Sequence, residues 1–195
     1  GAAEVHARHR GDHAAMSTGP MNDGALSELA KRRSEYETAG LRDDELAADP
    51  VTQWQRWFGE ADAAGCVEPN AFVLSTIDRE GWPQSRYLLL RGADTDGFVF
   101  FTNYDSAKGQ DLAAKPRACL LMFWAELERQ VRIDGRVEKV SPTEADAYYA
   151  SRPLGARQSA WASAQSTYVT GRSALEKALD SVQKKYPQDP PRPPY

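Results

Sequence analysis

Residues 85–109, SRYLLLRGADTDGFVFFTNYDSAKG, decide the fold. They contain two short apolar runs, RYLLL and FVFFT, separated by a segment rich in Gly and Asp. Runs of this length and composition, bounded by turn residues, predict two β-strands at hairpin spacing. Arg86 and Arg91 flank the first run, although strands that only fill a core do not need a charge at each end. The two arginines therefore point to a role beyond packing.

The rest of the chain adds three predicted strands and several predicted helices. The strands are AFVLSTI, RACLLMFW and ERQVRIDGRVEKV, at residues 71–77, 117–124 and 128–140, with Gly135 as a candidate bulge. Spacing and capping residues predict helices within residues 24–40, 49–65, 103–116, 141–152 and 173–186. Because the strands follow one another without a helix after each, they favour an antiparallel sheet or barrel over a doubly wound fold. The predicted fold class is mainly β with flanking helices.

Composition limits the classes of protein. The 195 residues are 41% hydrophobic, which suits one domain with a sizeable core, predicted to span residues 24–195. A net charge of −4 argues against general nucleic-acid binding, and no stretch is long and apolar enough to cross a membrane. Residues 1–23 lack the apolar region of a secretory signal and are predicted to be a disordered leader or a cloning remnant, with Met16 or Met21 as the native start.

The positions of histidine and cysteine exclude several kinds of catalysis. His6, His9 and His13 all lie in the predicted leader, which argues against Ser-His-Asp or Cys-His catalysis and against a histidine-based metal site. Cys66 and Cys119 are far apart in sequence and predict reduced thiols in a cytoplasmic protein. The usual nucleotide-binding loops are absent from the sequence. An enzyme built on this chain would therefore use an organic cofactor, and no side chain is assigned as a catalytic group.

The segment after Thr102 has the features of a phosphate site. A turn and a short helix follow, Ser106 can cap the helix, and Lys108 adds a positive charge to its N-terminus. The alternative is a capped surface helix with a solvated lysine, which this stretch alone favours. Arg86 and Arg91 are five positions apart, so a regular strand would direct them to opposite faces and two different partners. Ion pairs at the strand ends are the alternative for these arginines.

A second polar cluster is predicted within residues 148–166. Tyr148 and Arg152 are four positions apart and share a helix face, where together they can clamp a phosphate. Further polar groups in this segment of small residues are Arg157, Gln165 and Ser166. A solvated helix end followed by a polar loop is the alternative interpretation.

Several of these motifs together resemble one family. SRYLLLR, GFVFFTNYDSAKG, LERQVRIDGRVEKVS, YYASRP and WASAQS, collinear from about Arg33 onward, resemble the pyridoxine/pyridoxamine 5′-phosphate oxidases. The resemblance implies an FMN-binding split β-barrel that works as a homodimer, with the flavin at the subunit interface. It also implies oxidation of pyridoxamine or pyridoxine 5′-phosphate to pyridoxal 5′-phosphate, in which hydride passes from the substrate C4′ to flavin N5 and O2 reoxidises the flavin.

The resemblance also assigns residues to two sites. The FMN phosphate is assigned to Arg86 and Lys108, with Gln165 and Ser166 nearby. The flavin is lined by the backbone of Tyr87, Leu88, Leu89 and Leu90 and by Phe101 and Thr102, and Gln130 reaches its ring; Arg91 is also counted among the cofactor-binding positions. The substrate phosphate is assigned to Arg91, Tyr148 and Arg152, with Arg33 and Tyr36 closing over the substrate.

The chain also departs from the family pattern. Arg91 stands where the family usually has Lys, and Ala107 and Ala156 replace an Arg and a Ser that contact phosphates. The triplet at 157–159 is Arg-Gln-Ser where the family has Gln-Ile-Gly. These departures leave two alternatives open: a flavoenzyme of the same fold acting on another small molecule, or a non-catalytic protein that binds flavin or pyridoxal phosphate.

The family usually continues with Trp-Gly-Gly and an Arg-x-His pair, which would follow Tyr195. We therefore expect the 195-residue chain to hold FMN but to be a poorer oxidase than a longer chain.

Overall fold

The computed structural model describes residues 42–195. The predicted leader, the predicted helix within residues 24–40, and Arg33 and Tyr36 lie outside the described residues. Within the described part of the chain, no helix is both long and apolar enough to cross a membrane.

Two antiparallel sheets form the centre of the described structure. The larger sheet has the order β2-β1-β5-β6, and a hairpin of β3 and β4 forms the smaller one. The strands are β1 Ala71–Ile77, β2 Pro83–Leu89, β3 Gly92–Asp94, β4 Gly97–Val99, β5 Arg117–Trp124 and β6 Arg129–Arg136. This arrangement confirms the prediction of a mainly antiparallel β fold, although the strand predicted at residues 98–102 ends at Val99.

The bulge predicted at Gly135 is wrong. Residues of β5 and β6 pair one to one along their whole length, from Arg117 opposite Arg136 to Trp124 opposite Arg129, and Gly135 lies opposite Ala118. Because each residue of β6 keeps a single partner, there is no extra residue to bulge.

Five α-helices flank the sheets in the described residues. They are α1 Pro50–Ala63, α2 Ala107–Ala114, α3 Pro142–Ser151, α4 Leu154–Ala162 and α5 Arg172–Lys185. The predicted caps are present, since Asp49 accepts a hydrogen bond from the Thr52 amide and Ser141 accepts one from the Glu144 amide. Helix α4 was not predicted, because its Gly/Ala/Ser-rich sequence has no wide apolar stripe.

The core lies between one face of the larger sheet and α1. Alternate residues of the central strands point into it, and Phe72, Leu74 and Met122 are almost completely buried. Trp54 of α1 stacks on Phe58 at 5.1 Å between ring centroids and donates its indole N–H to Met122 Sδ at 3.2 Å. The hydrogen bond to Met122 connects α1 to β5, and the stack within the helix holds the Trp54 ring in place.

The opposite face of the larger sheet is open in the isolated chain. Tyr87 on β2 is 78% exposed and Phe123 on β5 is 65% exposed. Gln130 on β6 lies directly opposite Phe123 and is exposed as well. The sheet therefore buries only one of its two faces within the described residues.

A close backbone contact joins the first turn of α2 to the loop that follows β4. A Cβ built on Gly109 would lie 2.3 Å from the carbonyl oxygen of Tyr104 and 2.6 Å from that of Asn103. Both neighbours are backbone atoms, so a side chain here would displace the loop or the helix.

We expect Gly109→Ala to lower the free energy of unfolding by about 1–3 kcal/mol, because the added methyl group overlaps the loop backbone. The matched control is Gly59→Ala in α1, where an added Cβ meets nothing within 4 Å. That substitution should stabilise the protein by up to about 1 kcal/mol through helix propensity. Urea denaturation measures both, and equal effects of the two substitutions would contradict the packing described here.

Candidate functional site

The N-terminus of α2 is built around Ser106. This residue is fully buried, and its hydroxyl donates to the Asn103 carbonyl at 2.6 Å while accepting the Gly109 amide at 3.3 Å. The hydroxyl thus satisfies one of the free N–H groups of the first turn and ties the helix to the preceding loop. The remaining first-turn N–H groups and the helix dipole favour a negative charge here.

Lys108, in the first turn of α2, is almost buried although it is charged. Its side chain is 8% exposed, and Nζ donates to Gln165 Oε1 at 2.7 Å and to Ser106 Oγ at 3.2 Å. Both acceptors are neutral, and among residues 42–195 no carboxylate forms an ion pair with Lys108. Burial, and next the nearby Arg86 charge, lower the pKa of Lys108. The ammonium group therefore lacks an anionic partner.

Arg86 provides a second cation close to Lys108. Its Nη1 donates to Thr76 Oγ1 at 2.7 Å and to the carbonyl oxygens of Gln84 and Leu74 at 3.0 and 3.2 Å. Its Nη2 lies 3.7 Å from Asp111 Oδ2. Burial lowers the pKa of Arg86, and the Asp111 charge opposes that effect in part.

Asp111 and Thr76 form the support beneath Arg86. The Thr76 hydroxyl donates to Asp111 Oδ2 at 2.8 Å, and both residues are buried. Arg86, Lys108 and Asp111 together carry one more positive than negative charge in a poorly solvated place at a helix N-terminus. Cations and free N–H groups in this arrangement can bind an anion such as a phosphate. Sequence reasoning missed Thr76 and Asp111, because no local pattern marks either of them.

A cavity of about 330 Å³ lies beside this basic cluster. Phe101, Thr102, Tyr148, Arg152 and Gln165 all line it, so residues that the resemblance assigned separately to cofactor and substrate meet at one cavity. Gln165 touches both places, because it lines the cavity and also accepts a hydrogen bond from Lys108. The hydroxyl oxygen of Thr102 is buried and has no hydrogen-bond partner among the described residues.

Aromatic rings form one wall of the cavity. Phe101 and Tyr148 stack face to face, with ring centroids 3.7 Å apart and planes 4° from parallel. The guanidinium carbon of Arg91 lies 5.9 Å from the centroid of the Tyr148 ring. Arg91 therefore lies close to Tyr148, whereas Arg86 lies close to Lys108. The sequence predicted that Arg86 and Arg91 would point to opposite faces of one strand. Strand β2 ends at Leu89, before Arg91, so the turn into β3 also contributes to the separation of the two side chains.

Other residues assigned by the resemblance lie away from the cavity. The side chains of Leu88 and Leu90 pack in or against the core, and Leu89 is half-buried. Tyr87 and Gln130 lie on the open face of the larger sheet. Ser166 is exposed next to Gln165 and has a left-handed backbone, with φ of 64°. Within residues 42–195, the side chains of these residues do not contact Arg86 or Lys108. Ser166 is the exception only in position, because it follows Gln165, which accepts a hydrogen bond from Lys108.

The C-terminal residues also contribute to the cavity, which the sequence did not predict. Arg192, Pro193 and Tyr195 line it. The Trp161 indole N–H donates to the Pro191 carbonyl at 2.7 Å, so the Pro-rich segment packs against α4. Sequence reasoning treated this segment as an extended connector, because proline composition alone does not show what a segment packs against.

The fold and the site define a split-barrel protein with an anion-binding cluster beside an aromatic-walled cavity. The sequence model of the pyridoxamine 5′-phosphate oxidase family matches residues 59–186. The chain is 54% identical over 170 residues to the pyridoxine/pyridoxamine 5′-phosphate oxidase of Cupriavidus taiwanensis, covering 87% of this chain and 80% of that protein. It is 52% identical over 170 residues to the same enzyme of Burkholderia multivorans, covering 87% and 79%. The chain belongs to the pyridoxamine 5′-phosphate oxidase family.

Solved structures agree with this fold. PhzG from Burkholderia lata, crystallised with tetrahydrophenazine-1-carboxylic acid, matches with a TM-score of 0.75 and 28% identity, covering 81% of this chain and 78% of that one. An FMN-binding protein from Nostoc punctiforme, related to pyridoxamine 5′-phosphate oxidase, matches with a TM-score of 0.52 and 20% identity, covering 67% and 73%. The second likeness supports the fold alone.

We expect Lys108→Met to raise the stability of the ligand-free protein by about 1 kcal/mol, because it removes a buried charge that has no anionic partner. The lowered pKa of Lys108 determines how this stability difference depends on pH. The cost of the charged group is complete below that pKa and disappears as pH rises towards the ordinary lysine value of about 10.4. The stability difference between wild type and variant should therefore shrink at alkaline pH.

Urea denaturation at pH 7 and pH 9.5 measures this difference. Lys177→Met is the control, because Lys177 is an exposed residue of α5 and its replacement should change stability by less than about 0.5 kcal/mol. A clear loss of stability in Lys108→Met alone would show that the buried charge is well compensated, contrary to this account.

Proposed function

We propose that the protein is an FMN-dependent oxidase that converts pyridoxamine or pyridoxine 5′-phosphate to pyridoxal 5′-phosphate, with O2 as the electron acceptor. The observation that carries the proposal is the pair of buried or half-buried cations, Lys108 and Arg86, at the N-terminus of α2 beside the cavity. The names of the relatives above 50% identity support the same reaction.

The residues present fit FMN. Its phosphate would supply an anion to Lys108 and to the part of the Arg86 charge that Asp111 does not balance, with the first turn of α2 as a further donor. The unpartnered Thr102 hydroxyl gives the bound molecule a hydrogen-bond partner at the cavity. When bound, FMN would supply the redox chemistry, accepting a hydride equivalent from the substrate C4′ and passing electrons to O2.

The protein's own groups bind and orient the reactants. Thr76 and Asp111 hold the Arg86 guanidinium in place, which makes them positioning residues. Arg91, Tyr148 and Arg152 form the second cationic group, suited to the phosphate of the substrate. Arg152 lines the cavity and forms no ion pair within residues 42–195, so its charge is available to a ligand. Holding two phosphates at fixed places sets the distance between the substrate carbon and the flavin.

A homodimer explains the residues that lie away from the cavity. Tyr87 and Gln130, both assigned to the flavin by the resemblance, lie on the open face of the larger sheet beside Phe123. A second copy packed on this face would cover the exposed aromatic rings and bring polar residues of one subunit towards the flavin of the other. Light scattering on the flavin-loaded protein tests this assembly, and a flavin-loaded monomer would rule it out. We place the enzyme in the cytoplasm, in keeping with its free thiols Cys66 and Cys119.

A second candidate function is oxidation of another small molecule on the same flavin. Ala156 lines the cavity without the hydroxyl that the family places there. The structural neighbour PhzG was crystallised with a carboxylic acid, tetrahydrophenazine-1-carboxylic acid. A substrate profile over phosphorylated vitamers and aromatic carboxylic acids separates the two functions. A protein that only binds flavin or pyridoxal phosphate would show no bleaching of the flavin with any substrate.

We expect the protein to bind FMN more tightly than riboflavin, and Arg86→Ala to weaken FMN binding tenfold or more. A charge-assisted hydrogen bond contributes about 1.5–3 kcal/mol, and about 1.4 kcal/mol corresponds to tenfold in affinity. Riboflavin has no phosphate, so its affinity should barely change. Fluorescence titration of both flavins measures the effect, with Arg172→Ala, a 92% exposed arginine of α5, as the control. Equal affinities for FMN and riboflavin in the wild type would refute the phosphate site.

Anaerobic mixing with pyridoxamine 5′-phosphate tests the reaction itself. Bound flavin should lose its visible absorbance when the substrate reduces it. Arg152→Ala should raise the substrate KM by about tenfold or more while FMN affinity stays near that of the wild type. Arg86→Ala is the reciprocal control, because it should mainly affect FMN. If Arg152→Ala weakens both ligands equally, the division into two phosphate sites is wrong.

A further inference from the structure

The Pro-rich segment after α5 is fixed against α3 and α4 by several contacts. The Gln158 amide donates to the Tyr186 carbonyl at 2.9 Å, and the Trp161 indole donates to the Pro191 carbonyl at 2.7 Å. Arg157 forms an ion pair with Asp189, and Pro190 is fully buried. None of these contacts involves the Arg192 side chain, so they hold the backbone that leads up to Arg192 without it.

Arg192 places a second guanidinium group at the cavity that Arg152 lines. Its Nε donates to Asp146 Oδ1 at 2.6 Å, and its side chain is 27% exposed. Its two terminal nitrogens form no hydrogen bond with any residue from 42 to 195. Since a guanidinium has five N–H donors in a planar fork, the pair with Asp146 leaves most of them for another acceptor.

The same cavity has lost a hydroxyl donor at position 156. Ala156 lines the cavity where the family resemblance places a serine that bonds the substrate phosphate. The nearby Ser159 also lines the cavity, but its hydroxyl hydrogen is directed to the Gly155 carbonyl at 2.7 Å, within its own helix. Position 156 and Ser159 therefore offer no free hydroxyl donor, and Arg192 adds a guanidinium group to the cavity.

We propose that Arg192 binds the substrate directly, as a second guanidinium on the phosphate group that Arg152 also holds, and thereby replaces the donor that Ala156 lacks. This inference rests on the proposed function, because it concerns the phosphorylated substrate of that reaction. Asp146 orients Arg192 through Nε, and the terminal nitrogens face the anion. A phosphate monoester suits two guanidinium groups, since each can form two parallel N–H···O bonds to it.

The alternative role for Arg192 is a purely structural one, as a link between the C-terminal segment and α3. Two variants separate the roles. Arg192→Gln removes the guanidinium from the cavity, whereas Asp146→Ala breaks the same link and leaves the guanidinium present. In both variants the segment stays attached through Trp161 and Gln158.

The experiment measures binding to the FMN-loaded protein by calorimetry, with 4-deoxypyridoxine 5′-phosphate and 4-deoxypyridoxine as probes. Neither probe has an oxidisable group at C4′, so the readout is independent of turnover. We expect Arg192→Gln to weaken binding of the phosphorylated probe tenfold or more, to leave the unphosphorylated probe within about twofold, and to leave FMN affinity unchanged. Asp146→Ala should bind the phosphorylated probe within about threefold of the wild type, and Arg192→Lys should recover part of the loss.

Three results would overturn the inference. Equal losses in Arg192→Gln and Asp146→Ala would make Arg192 a structural link. Equal losses for the two probes would show that Arg192 does not act on the phosphate. Unchanged binding in Arg192→Gln would mean that Arg192 contributes nothing. A wild type that does not prefer the phosphorylated probe would show that the proposed substrate is wrong. A wild type that prefers the phosphorylated probe, together with an Arg192→Gln variant that prefers it to the same degree, would contradict only the role of Arg192.

Discussion

The buried positive charge of Lys108 is the constraint on which the site depends. An ammonium group in a poorly solvated place costs free energy, and two neutral oxygens, Ser106 Oγ and Gln165 Oε1, compensate only part of it. The fold keeps the charge there because Ser106 caps α2 and Gly109 allows the loop to press against the first turn. Asp111 and Thr76 hold Arg86 in place, and its positive charge makes the charged form of Lys108 less favourable still. The buried charge therefore lowers the stability of the ligand-free protein, and an anion bound here would offset that cost.

Local features of the fold could be predicted from sequence, and features set by tertiary contacts could not. The caps at Asp49 and Ser141 were predicted because a cap is a short-range pattern. The strand at β5 and the alternation in β6 were predicted for the same reason. Helix α4 was missed because packing against α5 and the C-terminal segment stabilises it more than its own pattern does. The bulge at Gly135 was wrong because a glycine permits a bulge without requiring one.

The site shows the same division. The cap at Ser106 and the charge at Lys108 could be predicted from one short stretch of sequence. The contact between Lys108 and Gln165 could not, because Gln165 lies 57 positions away. The buried pair of Thr76 and Asp111 lies on two different elements and has no spacing that marks it. The family resemblance assigned Lys108 and Gln165 to the same site, although they are distant in sequence. It gave no signal for Arg192 or Asp146, whose contact depends on how the C-terminal segment packs.

The origin of the cavity walls has a consequence for how such proteins diversify. Arg86 and Lys108 lie on the sheet and on α2, whereas α3, α4 and the C-terminal segment supply most of the cavity wall. Gln165 lines the cavity and also accepts a hydrogen bond from Lys108, which connects the two groups. Substitutions on α4 or the C-terminal segment can therefore reshape the cavity without removing Arg86 or Lys108. A protein of this fold could change which small molecule fits its cavity while selection kept the basic cluster unchanged.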